Sequence, residues 1–313
     1  MVSPRFLKAY RFLCYEVLFL IALGGSVRTM NAGLACPDWP LCFGEFIPDF
    51  HIQVYFEFIH RVLAGSLSLL VFGFGIYLLR QARIGKLVKL LSGIAMCLVV
   101  IQVIVGGLTV LMLLKESVVT LHLVLATALF ACVLIVYWEL KSAQERTIFV
   151  GAPRVLKHFA HILTGSIWVQ IVLGGLVASH YAGLVCPDFP LCHGQFAPTL
   201  TGPIGLQVIH RLGAYLCVLL ICGFWITVKQ LLPSGNPLVL KWSKRLLIGI
   251  WIQVGLGIAN IFFSTPPLIV VLHLFTGTLL LGMALRLCYL LNKGEATVAN
   301  ELFVSVSSPI EIN

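Results

Sequence analysis

The sequence predicts an all-α integral membrane protein. It has eight transmembrane helices, arranged as two tandem, pseudo-symmetric four-helix bundles with both termini in the cytoplasm. Three observations predict this. The 313 residues are 59% hydrophobic and only 11% charged, with mean hydropathy +1.02; a soluble domain carries about a quarter charged residues. Eight apolar runs approach the roughly 20 residues that a span requires. The second half of the chain repeats the first.

The runs lie at 10–28, 52–79, 88–114, 117–140, 155–179, 204–231, 243–264 and 267–291. Basic residues precede the first (Arg5, Lys8, Arg11), which could mark a signal peptide, but no A-x-A-like site follows. The run therefore reads as an uncleaved first helix. The connections carrying Arg80, Arg83, Lys86 and Lys89, then Lys141, Arg146, Arg154 and Lys157, then Lys229, Lys241, Lys244 and Arg245, are basic. The alternate connections carry only Arg28 and Lys115. The positive-inside rule puts the basic ends in the cytoplasm, and the other ends on the outer side of a cell (inner or plasma) membrane. The net charge of +9 is thus an orientation signal rather than a nucleic-acid patch. The tail from Asn292 is more polar, lacks a clear period and is expected to be poorly ordered.

The repeat is specific. Cys36-Pro37-Asp38-Trp39-Pro40-Leu41-Cys42 returns as Cys186-Pro187-Asp188-Phe189-Pro190-Leu191-Cys192, Gly24-Gly25 as Gly174-Gly175, and His60-Arg61 as His210-Arg211, all at an offset of 150. Gln102 matches Gln253 and His122 matches His273 at 151. The chain divides into an N-terminal half (1–142), a cytoplasmic linker (143–154), a C-terminal half (155–291) and a cytoplasmic tail (292–313). Each half has an even number of spans, so the repeat is parallel.

His60, His122, His210 and His273 fall inside even-numbered spans, five to eight residues from their outer ends. At 1.5 Å per residue that is roughly 8–12 Å deep. Two imidazoles at one depth on parallel helices suit the axial ligation of haem iron, while a lone intramembrane His is more often a helix–helix hydrogen bond. The matched pairs favour haem. His51, His158, His161, His180 and His193 lie in loops or near helix ends and read as solvated or interfacial. Glu57 sits three residues before His60, on the same helix face. An intramembrane acid marks a site, and its counterpart is Gln207, which cannot take a proton. Arg61 and Arg211 either pair with haem propionates or snorkel to the interface. Arg28 reads as a headgroup contact, Glu139 as interfacial, and Glu16 is unassigned. The Cys pairs six apart on an oxidising side favour disulfides over zinc. The Gly pairs fit close helix contact and carry no chemistry of their own.

Together, Glu57-x-x-His60-Arg61 in the second span, His210-Arg211 in the sixth, His122 and His273 in the fourth and eighth, and the two outward Cys loops resemble the haem A synthase family. The likeness is to the bacterial form with Cys pairs in the outer loops, and it covers all but the tail. The resemblance implies a membrane oxidoreductase that converts the ring methyl of haem O to the formyl group of haem A, through hydroxylated species, for terminal oxidases. It implies His60 and His122, with Arg61, around the substrate haem, and His210 and His273, with Arg211, around a haem b cofactor. It makes Glu57 the catalytic carboxylate and Cys36–Cys42 a bridge over the substrate. Haem O is the implied substrate, an enzyme that makes haem O is a candidate partner, and the electron acceptor and oligomeric state stay open. An electron-transfer cytochrome b gives no reason for the Glu57/Gln207 difference. A thiol oxidoreductase gives none for the His quartet, and a transporter rests on the repeat alone.

Overall fold

The computed structural model describes residues 2–145, 152–196, 198–232 and 236–306, the side chains of 145 and of 294–306 aside. Among these residues the chain is helical, with α1 (Pro4–Thr29), α2 (Ile52–Arg80), α3 (Lys86–Leu111), α4 (Glu116–Glu145), α5 (Arg154–Ser179), α6 (Gly202–Leu231), α7 (Pro237–Phe262), α8 (Pro267–Val306) and a single 3-10 turn at Ala182–Leu184. Seven helices, α2 to α8, are long and apolar enough to cross a membrane. Most of the expected linker, residues 146–151, lies outside the described residues.

Two helices begin six residues before their apolar runs, and the caps explain why. The Phe6 N–H donates to Ser3 Oγ at 3.1 Å, with Pro4 in the first helical position. The Val239 N–H donates to Asn236 Oδ1 at 3.2 Å, with Pro237 in the same position. A short oxygen-bearing side chain before a proline satisfies and pre-sets a helix start, which a hydropathy window does not register. The tail departs further from expectation, because α8 continues to Val306. Glu295, Ala296, Ala299, Glu301 and Leu302 favour helix, and proline first recurs at Pro309.

α1 packs on α2 and α4, α2 on α3, and α3 on α4; likewise α5 packs on α6 and α8, α6 on α7, and α7 on α8. Across the middle, α1 meets α8, and α4 meets α5 and α8. Hydrogen bonds tie this seam: Trp168 Nε1–H to Thr127 Oγ1 at 3.1 Å, Thr120 to Ser179 at 3.2 Å, and Ser142 to Tyr289 at 2.8 Å. Arg28 belongs to it too. Its guanidinium bonds the Tyr181 hydroxyl at 2.8 Å and the Ala178 carbonyl at 3.2 Å, so it is a seam residue rather than a headgroup contact. Glu139 pairs with Lys293 at 2.9 Å.

The apolar cores sit far from the Cys loops. One runs through Leu13, Val17, Leu78, Val99, Leu129 and Val136, the other through Leu156, Leu163, Ile221, Phe224, Leu246 and Leu287. Nearer the loops the packing loosens. No residue of 58–66 on α2 or of 212–216 on α6 is fully buried. His60 lies in the first of these stretches and His210 just before the second, and all four span histidines are part-accessible.

Candidate functional site: paired histidines under two disulfide loops

Both predicted Cys pairs are bridged, Cys36 to Cys42 and Cys186 to Cys192. The two loops are held in the same way. Asp38 accepts from the Phe43 and Gly44 N–H groups at 2.6 and 2.8 Å, and Asp188 from those of His193 and Gly194 at 2.8 and 2.9 Å. The Gly44 and Phe43 N–H bonds hold the Asp38 carboxyl below its ordinary 3.8, and the Gly194 and His193 bonds do the same at Asp188.

Beneath each loop lies an arginine. Arg61 donates to the carbonyls of Asp38, Leu41 and Cys36 at 2.7, 2.5 and 3.3 Å. Arg211 donates to those of Asp188, Leu191 and Cys186 at 2.9, 2.5 and 2.7 Å. Sequence reasoning had offered a propionate or the interface. The forked guanidinium gathers loop carbonyls that would otherwise be orphaned near the membrane. The Arg211 Nε is buried and without a protein partner.

Glu57 is 4% exposed. Its Oε1 accepts from Arg61 at 2.5 Å and its Oε2 from the Cys36 N–H at 2.8 Å. The carboxylate therefore joins the disulfide loop to the helix that bears His60. Gln207 is as buried, at 6%, but makes a different bond: its amide donates to the Gly183 carbonyl at 3.3 Å, and its Oε1 has no partner. Glu16, unassigned by sequence, accepts a hydrogen bond from Ser66 Oγ across the α1–α2 seam.

The histidines are seated on glycines, which sequence reasoning had set aside as packing. A methyl group added at Gly24 would meet His60 Cε1 at 3.2 Å, one at Gly106 would meet His122 at 3.1 Å, one at Gly174 would meet His210 at 3.2 Å, and one at Gly257 would meet His273 at 3.1 Å. Each ring lies against the backbone of the preceding helix, where a side chain larger than hydrogen would press on it.

Glutamines complete two seats. Gln102 bonds the His122 carbonyl at 3.0 Å and lies 3.3 Å from its Nε2. Gln170 bonds the His210 carbonyl at 2.8 Å and lies 3.0 Å from its Nδ1. Gln170 was missed. Its signal was available: Gln102, Gln170 and Gln253 each stand four residues before a histidine-seating glycine.

In the C-terminal half the His210 and His273 ring centres are 6.5 Å apart. Two imidazoles bound through nitrogens about 2 Å from one metal would put their ring centres about 6 Å apart. His60 has His122 as an electrostatic neighbour. The Nδ1 atoms of His60, His122 and His273 are buried without partners, as are the Arg211 Nε and the Tyr215 hydroxyl. Buried orphans of this kind are rare unless a missing group satisfies them. The looser packing, the spacing and the orphans fit a macrocycle held between paired imidazoles. Among the described residues, no group of three or more His, Cys, Asp or Glu could hold a bare ion.

Comparison with known proteins agrees with this geometry. A family model described as COX15-CtaA, cytochrome oxidase assembly protein, matches residues 10–51 and 47–285. The chain belongs to that family. It is 30% identical to the heme A synthase of Symbiobacterium thermophilum, over 94% of this chain and 98% of that one. It is 29% identical to that of Alkalihalophilus pseudofirmus, over 82% and 87%, and 29% identical to that of Shewanella oneidensis, over 90% and 95%. As a family member with long apolar helices, the protein is a multi-pass membrane protein.

Proposed function

We propose that the protein is a haem A synthase, which oxidises a ring methyl of haem O to the formyl group of haem A. The observation that carries this is a difference in charge between two sites that share their scaffold. Both have a disulfide loop, an arginine clamp and paired histidines on glycine seats, but only the first has a carboxylate. The relatives printed as heme A synthases support the same reading.

In this reading all eight helices span the membrane, α1–α4 and α5–α8 form the two bundles, and the termini are cytoplasmic. The Cys loops then face outward from the plasma membrane. His60 and His122 hold the substrate haem, and His210 and His273 hold haem b. When bound, haem b supplies one-electron transfer away from the substrate site. Arg61 and Arg211 act on the haems through the loops that they clamp, and the free Arg211 Nε is placed to meet a propionate.

Glu57 is the reacting carboxylate. Removal of two electrons and a proton from a ring methyl leaves electron-poor carbon. A fixed carboxylate beside it takes up the proton or orients the attacking water, and lowers the energy of developing positive charge. Its bonds to Arg61 and Cys36 fix its position, so it needs little rearrangement when that charge appears. The electrons leave to an acceptor outside this chain, and an enzyme that makes haem O is the natural supplier of substrate.

The test is chemical. The protein is purified from cells that make haem O, and its haem is extracted and resolved by chromatography with mass detection. Haem b together with haem O, a hydroxylated haem or haem A is expected. Haem b alone, at two per chain, would make it an electron-transfer cytochrome instead.

A further inference from the structure

An enzyme that holds one haem as cofactor and another as substrate faces a difficulty. Paired imidazoles ligate both, yet one haem must stay and the other must come and go. The ligands alone cannot make that difference. The groups behind them can, since a partner that fixes a ligating histidine typically contributes 10–100-fold in metal affinity.

The structure carries such a difference. On α3, α5 and α7 the residue four before the histidine-seating glycine is a glutamine: Gln102, Gln170 and Gln253. Gln102 and Gln170 clasp their histidines at both the ring and the main-chain carbonyl. Gln253 stands at the matching place before Gly257, where His273 Nδ1 and Gln253 Oε1 are both buried without partners. On α1 the matching residue is Leu20, 9% exposed in the apolar core. It has neither donor nor acceptor. Leu20 therefore offers the His60 ring no hydrogen bond, and Gly24 still seats the ring as the other glycines do. Two of the four histidines, His122 and His210, are therefore bonded by a glutamine and a third has Gln253 at the matching position, while His60 has Leu20 there.

We infer that His60 is the exchangeable ligand, and that Leu20 makes it so. The first half is built to take up and release its haem at the His60 side, while Gln170 and Gln253 retain the haem of the second half. His122, fixed by Gln102, stays the anchor of the substrate. This rests on the proposed function in one respect, that each half holds a haem. Release breaks the iron–nitrogen bond to His60 first and then the bond to His122, each electron pair returning to its imidazole, so no oxidant or reductant is required.

The test is haem release from the purified full-length protein, loaded with haem b and haem O, into excess apomyoglobin. Release is followed by stopped-flow absorbance, and the released haem is identified by chromatography with mass detection. The wild type should lose haem O in a fast phase and haem b in a slow one. Leu20→Gln should slow the fast phase about 10–100-fold and leave the slow one unchanged. Gln170→Leu should speed the slow phase by a similar factor. Equal release rates in the wild type, or a fast phase unmoved by Leu20→Gln, would overturn the inference. Should Leu20→Gln not assemble, Gln170→Leu decides, and an unaltered slow phase overturns it. Only one haem per chain, despite supplied haem O, would strike the proposed function itself; two haems leaving together would strike only this inference.

Discussion

The two halves are nearly the same object at their loops and different objects at their histidines. Asp38 and Asp188 bond matching amides, and Arg61 and Arg211 gather matching carbonyls, residue for residue at an offset of 150. Yet Glu57 meets a loop amide and an arginine where Gln207 meets the Gly183 carbonyl, and Gln170 clasps His210 where Leu20 leaves His60 alone. The duplicated scaffold keeps the loop contacts and varies the side chains beside the histidines. The differences are thus better guides to chemistry than the shared features.

That comparison can be broken in several places. The largest expected effect is at Glu57. Glu57→Gln should retain haem in both halves, read by extracted haem per chain, but form the formyl product at least about 100-fold more slowly, the scale of lost general acid–base catalysis. Undiminished haem A would end the assignment, and Gln207→Glu should create no second active half. Next come the glycine seats. Gly174→Val should displace His210 and empty the C-terminal half of haem b, and Gly24→Val should do the same to substrate in the N-terminal half. The readout is the haem stoichiometry of each variant, and unchanged stoichiometry would mean that the seats are only packing.

The bridges sharpen the comparison at a smaller scale. Closing so short a loop stabilises the fold by about 2 kcal/mol in the chain-entropy account. Cys36→Ser/Cys42→Ser and Cys186→Ser/Cys192→Ser should lower thermal stability by similar amounts. Only the first pair should also slow haem A formation, because only Cys36 holds Glu57. Equal losses of activity would remove that link.

The smallest effect is in pH. The Asp38 and Asp188 carboxyls titrate below 3.8 in the folded loops. A lowered folded value means that their contribution is complete above 3.8 and is lost as pH falls through the lowered value. Protection of the Phe43, Gly44, His193 and Gly194 amides from hydrogen exchange, corrected for intrinsic rate, should therefore hold at neutral pH and fall in both loops below about pH 4. Asp38→Asn should flatten that response in the first loop alone.

Much of this was legible in the sequence, for identifiable reasons. Apolar length sets a helix in hydrocarbon because the backbone has no other partner there, and a repeat at fixed offset survives any uncertainty about helix ends. Glu57 and the histidines stood out because ionisable groups in apolar runs are rare. Less visible were the groups that read as ordinary membrane residues. Gln170 and the seating glycines look like helix packing until the ring above them is seen. Arg61 and Arg211 follow a histidine directly, and the sequence could not say that their forks reach the loop carbonyls. The helix starts at Ser3 and Asn236 were written in plain capping residues, but apolar windows do not look for them.

The sequence by itself determined the helical membrane architecture, the duplication, the four histidines and the one unmatched acid, because each follows from local composition or from spacing along the chain. Tertiary structure decided which atoms meet. It put each histidine on a glycine of another helix, turned the arginines to the loop carbonyls, tied Glu57 to Cys36 and bonded Gln170 to His210. Those contacts depend on how neighbouring helices rotate against one another. Side-chain packing across the seams sets that rotation, and no periodicity within a single helix encodes it.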